Sequence, residues 1–132
     1  MKNTFTAFMV LVTLAFTSCS TNAQTNSGTA NVNAEEFKAL IEKNDSVQIL
    51  DVRTAEEWQT GIIPNAVKND WFDANFVEGL KNLDKEAPVL VYCAAGGRSS
   101  KAMQKISALG FKKIYNLSGG IGAWKSKGYA VE

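Results

Sequence analysis

The sequence contains no histidine, and this absence removes several classes of active site. Without imidazole the chain has no Ser-His-Asp triad, no Cys-His dyad and no histidine-ligated zinc. Only two cysteines are present, too few for a structural zinc site by themselves and enough for one disulfide at most. Any nucleophile in this chain must therefore work without an imidazole base.

An excess of charge of one sign is also missing, since 14 Lys and Arg side chains stand against 13 Asp and Glu side chains. The basic residues are scattered along the chain, which does not indicate a nucleic-acid-binding surface. Two prolines and ten glycines among 132 residues argue against a low-complexity or collagenous chain. The length and the 45% hydrophobic content predict one small globular domain.

The N-terminus has the composition of a targeting segment, and Lys2 is the only charged residue in residues 1–18. Its apolar run, from Phe5 to Phe16, is too short to span a bilayer comfortably, because roughly 20 residues are needed. A basic start, a short apolar centre and small residues after it predict a secretory signal peptide over residues 1–18. A buried core helix is the alternative, but no helix-capping residues bracket the run.

The end of this run, Phe16-Thr17-Ser18-Cys19-Ser20, resembles the lipobox of bacterial lipoproteins, although Phe16 stands where leucine is commonest. The resemblance implies lipidation of Cys19, a membrane partner through the lipid anchor, and export to the cell envelope. Ser20, rather than aspartate, after the cysteine favours the outer membrane, with the domain facing the periplasm or the exterior. Plain secretion with cleavage after Ala23 is the competing interpretation.

Residues 20–31 carry no charge, no aromatic ring and no large apolar side chain. Such a segment buries too little surface to offset the entropy of ordering the chain. We therefore expect a flexible tether over residues 19–31 and a folded domain over residues 32–132.

The expected domain alternates helices and strands. Helices are predicted over residues 34–43, 54–58, 73–83, 99–109 and 121–127, and strands over residues 47–52, 66–67, 88–93 and 113–117. Capping boxes at Asn33–Glu36 and Thr54–Glu57 begin the first two helices. The continuous apolar run at 88–93 is typical of a strand buried on both faces. This alternation predicts an α/β fold with a mainly parallel central sheet.

A small, glycine-rich loop, Ala94-Ala95-Gly96-Gly97-Arg98, follows Cys93 at the end of the most apolar strand. Ligands bind at this edge of a parallel sheet, and a helix N-terminus after the loop offers free N–H groups that favour a thiolate. The pattern predicts a lowered pKa for Cys93. Gly96 and Gly97 allow the N–H groups to form an anion nest, with Arg98 as a cation at the rim. An inert core cysteine is the alternative.

Four segments, in this order and spacing, together resemble the rhodanese family of sulfurtransferases over about residues 32–130. They are Leu50-Asp51-Val52-Arg53 with Glu57-Trp58, Gly61-Ile62-Ile63-Pro64-Asn65-Ala66, the Cys93–Arg98 loop with Ser99-Ser100, and Leu117-Ser118-Gly119-Gly120-Ile121-Gly122-Ala123-Trp124. The resemblance implies a rhodanese-like three-layer fold, with a mainly parallel central sheet flanked by helices.

The resemblance also implies a sulfurtransferase that works through a Cys93 persulfide. Cys93 would take sulfane sulfur from thiosulfate, a polysulfide or a persulfide, including a protein persulfide, and pass it to a thiol or to cyanide. The reaction needs no cofactor and no metal, and we expect a monomer. The substrate would be held by the loop residues Ala94, Ala95, Gly96, Gly97 and Arg98.

Some neighbouring residues have two interpretations. Arg53 could also reach the substrate, but a structural pair with Asp51 is favoured. Ser99 and Ser100 are predicted first as helix-capping groups, with a hydrogen bond to the persulfide as a second role. Trp71 and Phe72 fit the mouth of the pocket, or an exposed or core position, equally well.

This chain departs from the family pattern in three places. Ile62 stands where family members usually have histidine, and we expect local repacking there rather than lost activity. Ala94 and Ala95 stand where thiosulfate-using relatives often carry an extra cation, which favours a polysulfide or a protein persulfide as donor. Four residues separate Cys93 from Arg98, against five in related phosphatases, which favours sulfur over a tetrahedral oxyanion.

Two other functions are alternatives. Many rhodanese-like domains lack the cysteine and act as protein-interaction or regulatory modules, whereas this chain retains both Cys93 and Arg98. A stand-alone thiol oxidoreductase is disfavoured, because the chain has no Cys-x-x-Cys pair and no resolving cysteine.

Overall fold

The structure is a computed structural model, and it describes residues 28–132. The expected signal peptide, the expected lipidation site Cys19 and residues 19–27 of the expected tether lie outside the described residues. Within residues 28–132, no helix combines the length and the apolar character needed to cross a membrane.

Five strands form a single sheet in the centre of the domain. They are β1 (Gly28–Val32), β2 (Gln48–Asp51), β3 (Val67–Lys68), β4 (Val89–Tyr92) and β5 (Lys113–Leu117). Their order across the sheet is β1-β5-β4-β2-β3, and every neighbouring pair runs parallel. The predicted α/β fold with a parallel sheet is confirmed, and all carboxyl ends of the strands lie along one edge.

Helices connect the strands and cover both faces of the sheet. They are α1 (Ala34–Lys43), α2 (Ala55–Trp58), α3 (Phe76–Gly79), α4 (Gly97–Ala108) and α5 (Gly120–Ser126), and a 3-10 helix (Leu80–Asn82) follows α3. Both predicted capping boxes form, because Asn33 and Thr54 each accept a backbone hydrogen bond while the glutamate three residues later bonds back.

Two apolar clusters lie on opposite faces of the sheet and form the core. Val91 of β4 packs in one cluster with Ile106 of α4. Leu90, the preceding residue of the strand, packs in the other cluster with Trp124 of α5. All four residues of β4 are buried, as expected for a strand covered on both faces. The result is a three-layer domain with the sheet in the middle.

The folded domain begins earlier than the sequence predicts. Residues 28–31, which were expected to belong to the tether, form β1 together with Val32, and β1 pairs in register with β5. The side chains of β1 are exposed or half-buried. Backbone hydrogen bonds rather than apolar burial hold this edge strand, so its polar composition gives no sign of it.

Residues 73–83 are not the continuous helix that the sequence predicts. The Asp73 carboxylate accepts a hydrogen bond from the Asn75 N–H at 2.7 Å and holds a turn before α3. The expected apolar face is nevertheless present, since Phe76 and Leu80 are both buried.

A buried ion pair fastens the carboxyl end of β2 to its surroundings. The Arg53 Nη2 group donates to Asp51 Oδ2 at 2.7 Å, and the Tyr92 hydroxyl donates to the same oxygen at 2.6 Å. The guanidinium also donates to the backbone carbonyls of Glu57, at 3.1 Å, and Gly61, at 2.7 Å. Every charged atom of the pair therefore has close partners, as burial requires.

This network makes Arg53 a structural residue. The side chain of Arg53 is 2% exposed, and its hydrogen bonds go to Asp51 and to backbone carbonyls rather than to the Cys93–Arg98 loop within the part of the chain described. Burial, together with Asp51, raises the pKa of Tyr92, so the phenol stays protonated and continues to donate. The hypothesis that Arg53 binds substrate is therefore not supported by its position, whereas the pair with Asp51 is present.

Removing one member of the pair should destabilise the fold strongly. Arg53→Met leaves the Asp51 carboxylate buried without its cation, which is expected to cost roughly 3–5 kcal/mol in the free energy of unfolding. Urea unfolding followed by tryptophan fluorescence measures this change. Asp51→Asn combined with Arg53→Met removes the uncompensated charge, so the double variant should lose less than the sum of the two single losses. Simple additivity would contradict the coupling.

Candidate active site

Cys93 directly follows β4 and is placed at the carboxyl edge of the sheet. The residue is 1% exposed and its thiol is free. The Gly96 N–H donates to Cys93 Sγ at 3.1 Å, so the loop folds back over the sulfur. α4 begins at Gly97, two residues earlier than predicted, and therefore starts within the expected loop.

Gly96 is the glycine on which this turn depends. Its φ of +105° lies in the region that favours glycine, and an added Cβ would lie 3.4 Å from Gly119 N and from Leu117 O. Gly97 differs, because a Cβ there would meet nothing within 4 Å. The sequence predicts the same role for both glycines, namely to let the N–H groups form an anion nest. Of these two positions, the structure requires glycine only at position 96.

Ser99 makes the second hydrogen bond to the sulfur. Its hydroxyl donates to Cys93 Sγ at 3.2 Å, and the residue is fully buried. The capping role that the sequence predicts for Ser99 is wrong, since Gly96 occupies the N-cap position and no side chain caps α4. Ser99 lies in the first turn of the helix instead, where its side chain points back towards β4.

These contacts favour the ionised form of the cysteine. Burial by itself raises the pKa of Cys93, but hydrogen bonds from the Ser99 hydroxyl and from the backbone of Ser99, Gly96 and Ala95 outweigh it. The pKa of Cys93 therefore lies below its ordinary value, in the direction that the sequence predicts. A larger thiolate fraction makes the sulfur a better nucleophile.

The start of α5 holds the other side of the loop. The Ile121 N–H donates to the Cys93 carbonyl at 2.9 Å, and the Gly122 N–H donates to the Ala94 carbonyl at 3.3 Å. Because a trans peptide places N–H and C=O on opposite sides, the N–H groups of Ala94 and Ala95 point away from α5. The contact with α5 thus orients the amides of the loop.

Gly120 allows this close contact. An added Cβ at Gly120 would lie 2.4 Å from the Ala94 oxygen, which leaves no room for a side chain. The sequence predicts only a turn at Gly119 and Gly120. No local pattern relates this turn to Cys93, because the start of α5 and the loop after β4 are distant in the sequence and come together only in the fold.

Asn116 is a further site residue, which the sequence does not predict. The side chain on β5 is 3% exposed, and its Nδ2 group donates to the Gly96 carbonyl at 3.4 Å and to Asn31 Oδ1 at 2.8 Å. It therefore contacts the same peptide segment that covers the sulfur and links it to β1. The signal in the sequence is a polar residue placed between Tyr115 and Leu117 in a predicted strand.

Arg98 lies at the rim of the loop and is paired. Its Nη1 and Nη2 groups donate to the two carboxylate oxygens of Glu57, each at 2.7 Å. These hydrogen bonds lower the pKa of Glu57 to about 2. The exposed ring of Phe72 lies beside the guanidinium, with 5.8 Å between its centroid and the Arg98 Cζ. Sequence reasoning identified Glu57 as a capping residue but not as the partner of Arg98.

The structure thus brings together Cys93, the loop residues 94–98 and Ser99, with Phe72 at the rim, and leaves Arg53 outside. Across residues 28–132, no group of three or more His, Cys, Asp and Glu side chains is placed to hold a metal ion. The arrangement is suited to holding a sulfur anion by hydrogen bonds from neutral groups.

Known proteins share this architecture. The chain is 39% identical over 87 residues to the thiosulfate sulfurtransferase GlpE of Coxiella burnetii, which covers 66% of this chain and 78% of that protein. It is 42% identical over 89 residues to the tRNA uridine(34) hydroxylase of Cytophaga hutchinsonii, a match to 65% of this chain. This chain spans only 28% of the length of that second relative.

A solved structure and a family model agree with these relatives. The crystal structure of a rhodanese-like domain protein from Staphylococcus aureus has 31% sequence identity and a TM-score of 0.67, and the match covers 78% of this chain and 98% of that chain. The model of the rhodanese-like domain matches residues 33–127. Since that match spans most of the described residues and includes the Cys93 loop, the chain belongs to the rhodanese-like domain family.

Proposed function

We propose that the protein is a sulfurtransferase that carries sulfane sulfur as a persulfide on Cys93. The observation that carries this proposal is the Cys93 sulfur itself, which accepts hydrogen bonds from the Gly96 N–H at 3.1 Å and the Ser99 hydroxyl at 3.2 Å. Together they favour a thiolate at the carboxyl edge of the sheet, where ligands of parallel sheets bind.

The first half of the reaction loads the sulfur. The Cys93 thiolate attacks the outer sulfur of a donor such as thiosulfate, and a new S–S bond forms. The S–S bond of the donor breaks, and its electron pair leaves with sulfite. A persulfide R–S–SH reacts in the same way and leaves as the thiolate R–S⁻. Because the hydrogen bonds to the sulfur lower the pKa of Cys93 and so increase its thiolate fraction, this step is proposed to need no general base, in agreement with a chain that lacks histidine.

The second half transfers the sulfur to an acceptor. A thiophile, such as cyanide or a thiolate, attacks the outer sulfur of the Cys93 persulfide, and the electron pair of that S–S bond returns to Cys93. Between the two steps the outer sulfur carries negative charge. The amides at the start of α4 and the loop amides that point away from α5 are suited to stabilise it without moving.

A non-catalytic interaction module is the alternative function. Such a module needs neither a hydrogen-bonded thiol nor a lowered pKa, so the environment of Cys93 favours transfer chemistry. The relative from Coxiella burnetii is named a thiosulfate sulfurtransferase, which supports the reaction class without identifying the donor of this chain.

Loading of Cys93 can be observed directly by intact-mass spectrometry of the purified full chain. Exposure to thiosulfate or to polysulfide should add the mass of one sulfur atom, and cyanide should remove it. Cys19→Ser should retain the addition, and Cys93→Ser introduced into the Cys19→Ser background should abolish it. If neither donor adds sulfur to Cys19→Ser, or if the variant lacking both cysteines still gains sulfur that cyanide removes, the proposed function is refuted and the interaction module is favoured.

The Ser99 hydroxyl should control the reactivity of the thiolate. Ser99→Ala removes the hydrogen bond that lowers the pKa of Cys93 most, so the midpoint of the pH dependence of alkylation should move to higher pH. The rate of alkylation by iodoacetamide at neutral pH should fall severalfold, measured in a Cys19→Ser background. Ser100→Ala is the matched control and should leave the midpoint in place. An unchanged midpoint in Ser99→Ala would refute this role.

We further propose that Cys19 is lipidated and anchors the domain in the cell envelope, with the outer membrane favoured. The support is the short apolar run and the lipobox-like residues before Cys19. Expression of the full chain in a bacterial host should yield a membrane-associated mature form, and globomycin, which blocks lipoprotein signal peptidase, should cause the precursor to accumulate. Processing that globomycin does not affect would indicate plain secretion instead.

A further inference from the structure

The charge at the mouth of the Cys93 loop is largely cancelled by a neighbouring carboxylate. Arg98 is the only cationic residue within the loop, from Ala94 to Arg98. Both oxygens of Glu57 accept hydrogen bonds from its guanidinium at 2.7 Å. The same carboxylate also accepts from the Thr54 N–H at 2.9 Å, which fixes it in the capping box of α2. Arg98 is therefore already engaged before any donor arrives.

A second carboxylate and an aromatic ring complete this rim. Glu57 raises the pKa of Arg98 most, and Cys93 and then the carboxylate of Asp70 add smaller effects in the same direction. Arg98, Glu57 and Asp70 together sum to one negative charge. Asp70 also accepts a hydrogen bond from the Phe72 N–H at 2.9 Å, and the Phe72 side chain, 69% exposed, lies against Arg98.

These contacts favour some sulfur donors over others. A donor with two negative charges meets a rim whose side-chain charge is negative and then approaches a thiolate, so repulsion raises its barrier. A donor with one negative charge is repelled less by the rim and less by the thiolate. If its body is apolar, it also gains contact with the exposed ring of Phe72, which water otherwise surrounds.

We propose that Glu57 and Phe72 are specificity-determining residues that direct the Cys93 site towards monoanionic sulfane donors with an apolar body and away from the dianion thiosulfate. This inference rests on the proposed sulfurtransferase function. It assigns a donor class to that function and gives Glu57 a role beyond capping α2.

Two probes with the same sulfane chemistry test the proposal. Thiosulfate carries two charges and releases sulfite, whereas benzenethiosulfonate carries one charge and a phenyl ring and releases benzenesulfinate. In each case the Cys93 thiolate attacks the terminal sulfur, the S–S bond of the donor breaks, and its electron pair leaves with the sulfur oxyanion. Cyanide then removes the outer sulfur as thiocyanate, which gives kcat/KM for each donor in one assay.

Glu57→Gln is the central variant. Glutamine serves at this position of a capping box, so α2 should remain intact, while Arg98 loses its counter-charge. We expect kcat/KM for thiosulfate to rise roughly threefold or more, because removing one partly exposed charge changes the interaction energy only modestly. For benzenethiosulfonate the change should stay below roughly twofold. Added salt should reduce the difference between the wild type and the variant with thiosulfate.

Two further substitutions make the electrostatic result specific. Glu56→Gln removes one negative charge from the same helix, at an exposed residue outside the Arg98 pair, and should leave the donor preference unchanged. Asp70→Asn keeps the oxygen that accepts from Phe72 and should shift the preference in the same direction as Glu57→Gln. This variant also tests the proposal if Glu57→Gln proves unstable in thermal unfolding.

Phe72→Ala tests the apolar half of the proposal. We expect kcat/KM for benzenethiosulfonate to fall roughly threefold, with little change for thiosulfate. Val77→Ala removes another exposed apolar side chain, at a residue whose neighbours are Leu80 and Leu109 rather than Arg98, and serves as the matched control.

The outcomes separate this proposal from the one on which it rests. If neither probe loads Cys93 in the wild type or in the variants, the sulfurtransferase function fails. If both probes load Cys93 but Glu57→Gln changes them equally, or Glu56→Gln gives the same shift, the role of Glu57 is overturned while the function stands. Equal losses for both donors in Phe72→Ala would overturn the role of the ring.

Discussion

The hydrogen bonds that reach the Cys93 sulfur depend on the loop being held from both sides. On one side, α5 binds the carbonyls of Cys93 and Ala94 through the N–H groups of Ile121 and Gly122. On the other, Asn116 of β5 contacts the Gly96 carbonyl. The loop has almost no apolar side chains of its own to bury, so these polar contacts must define its shape. A preorganised set of donors of this kind needs no rearrangement when charge develops on sulfur.

The short helix α2 connects the structural and the chemical parts of the site. The backbone carbonyl of Glu57 accepts from the buried guanidinium of Arg53, while its carboxylate binds Thr54 and Arg98. Arg53 and Arg98 thus both donate hydrogen bonds to Glu57, Arg53 to its backbone carbonyl and Arg98 to its carboxylate. The buried arginine fixes the position of α2 against the sheet, and the half-buried arginine is restrained by α2 at the mouth of the loop.

The sequence predicts those parts of the site that depend on local chemistry. Cys93 at the end of an apolar strand and the glycine at position 96 follow from neighbouring residues. The contact between Glu57 and Arg98 spans 41 residues of chain, and no local pattern reveals a partner at that separation. β1 was missed for a related reason, because backbone pairing with a distant strand holds it and its side chains are mostly exposed. The predicted capping role of Ser99 is wrong because α4 begins at Gly97, which places Ser99 inside the first turn.

The direction of the strands has a consequence for the proposed anchor. Because all five strands run parallel, Gly28 at the start of β1 lies at the amino edge of the sheet, and Cys93 lies beyond the carboxyl edge. A chain that leads from Cys19 into β1 therefore enters the domain at the edge opposite the sulfur. A lipid at Cys19 would therefore be connected to the domain at the amino edge of the sheet, opposite the edge at which Cys93 lies. Anchoring and access to a sulfur donor are then compatible without any rearrangement of the domain.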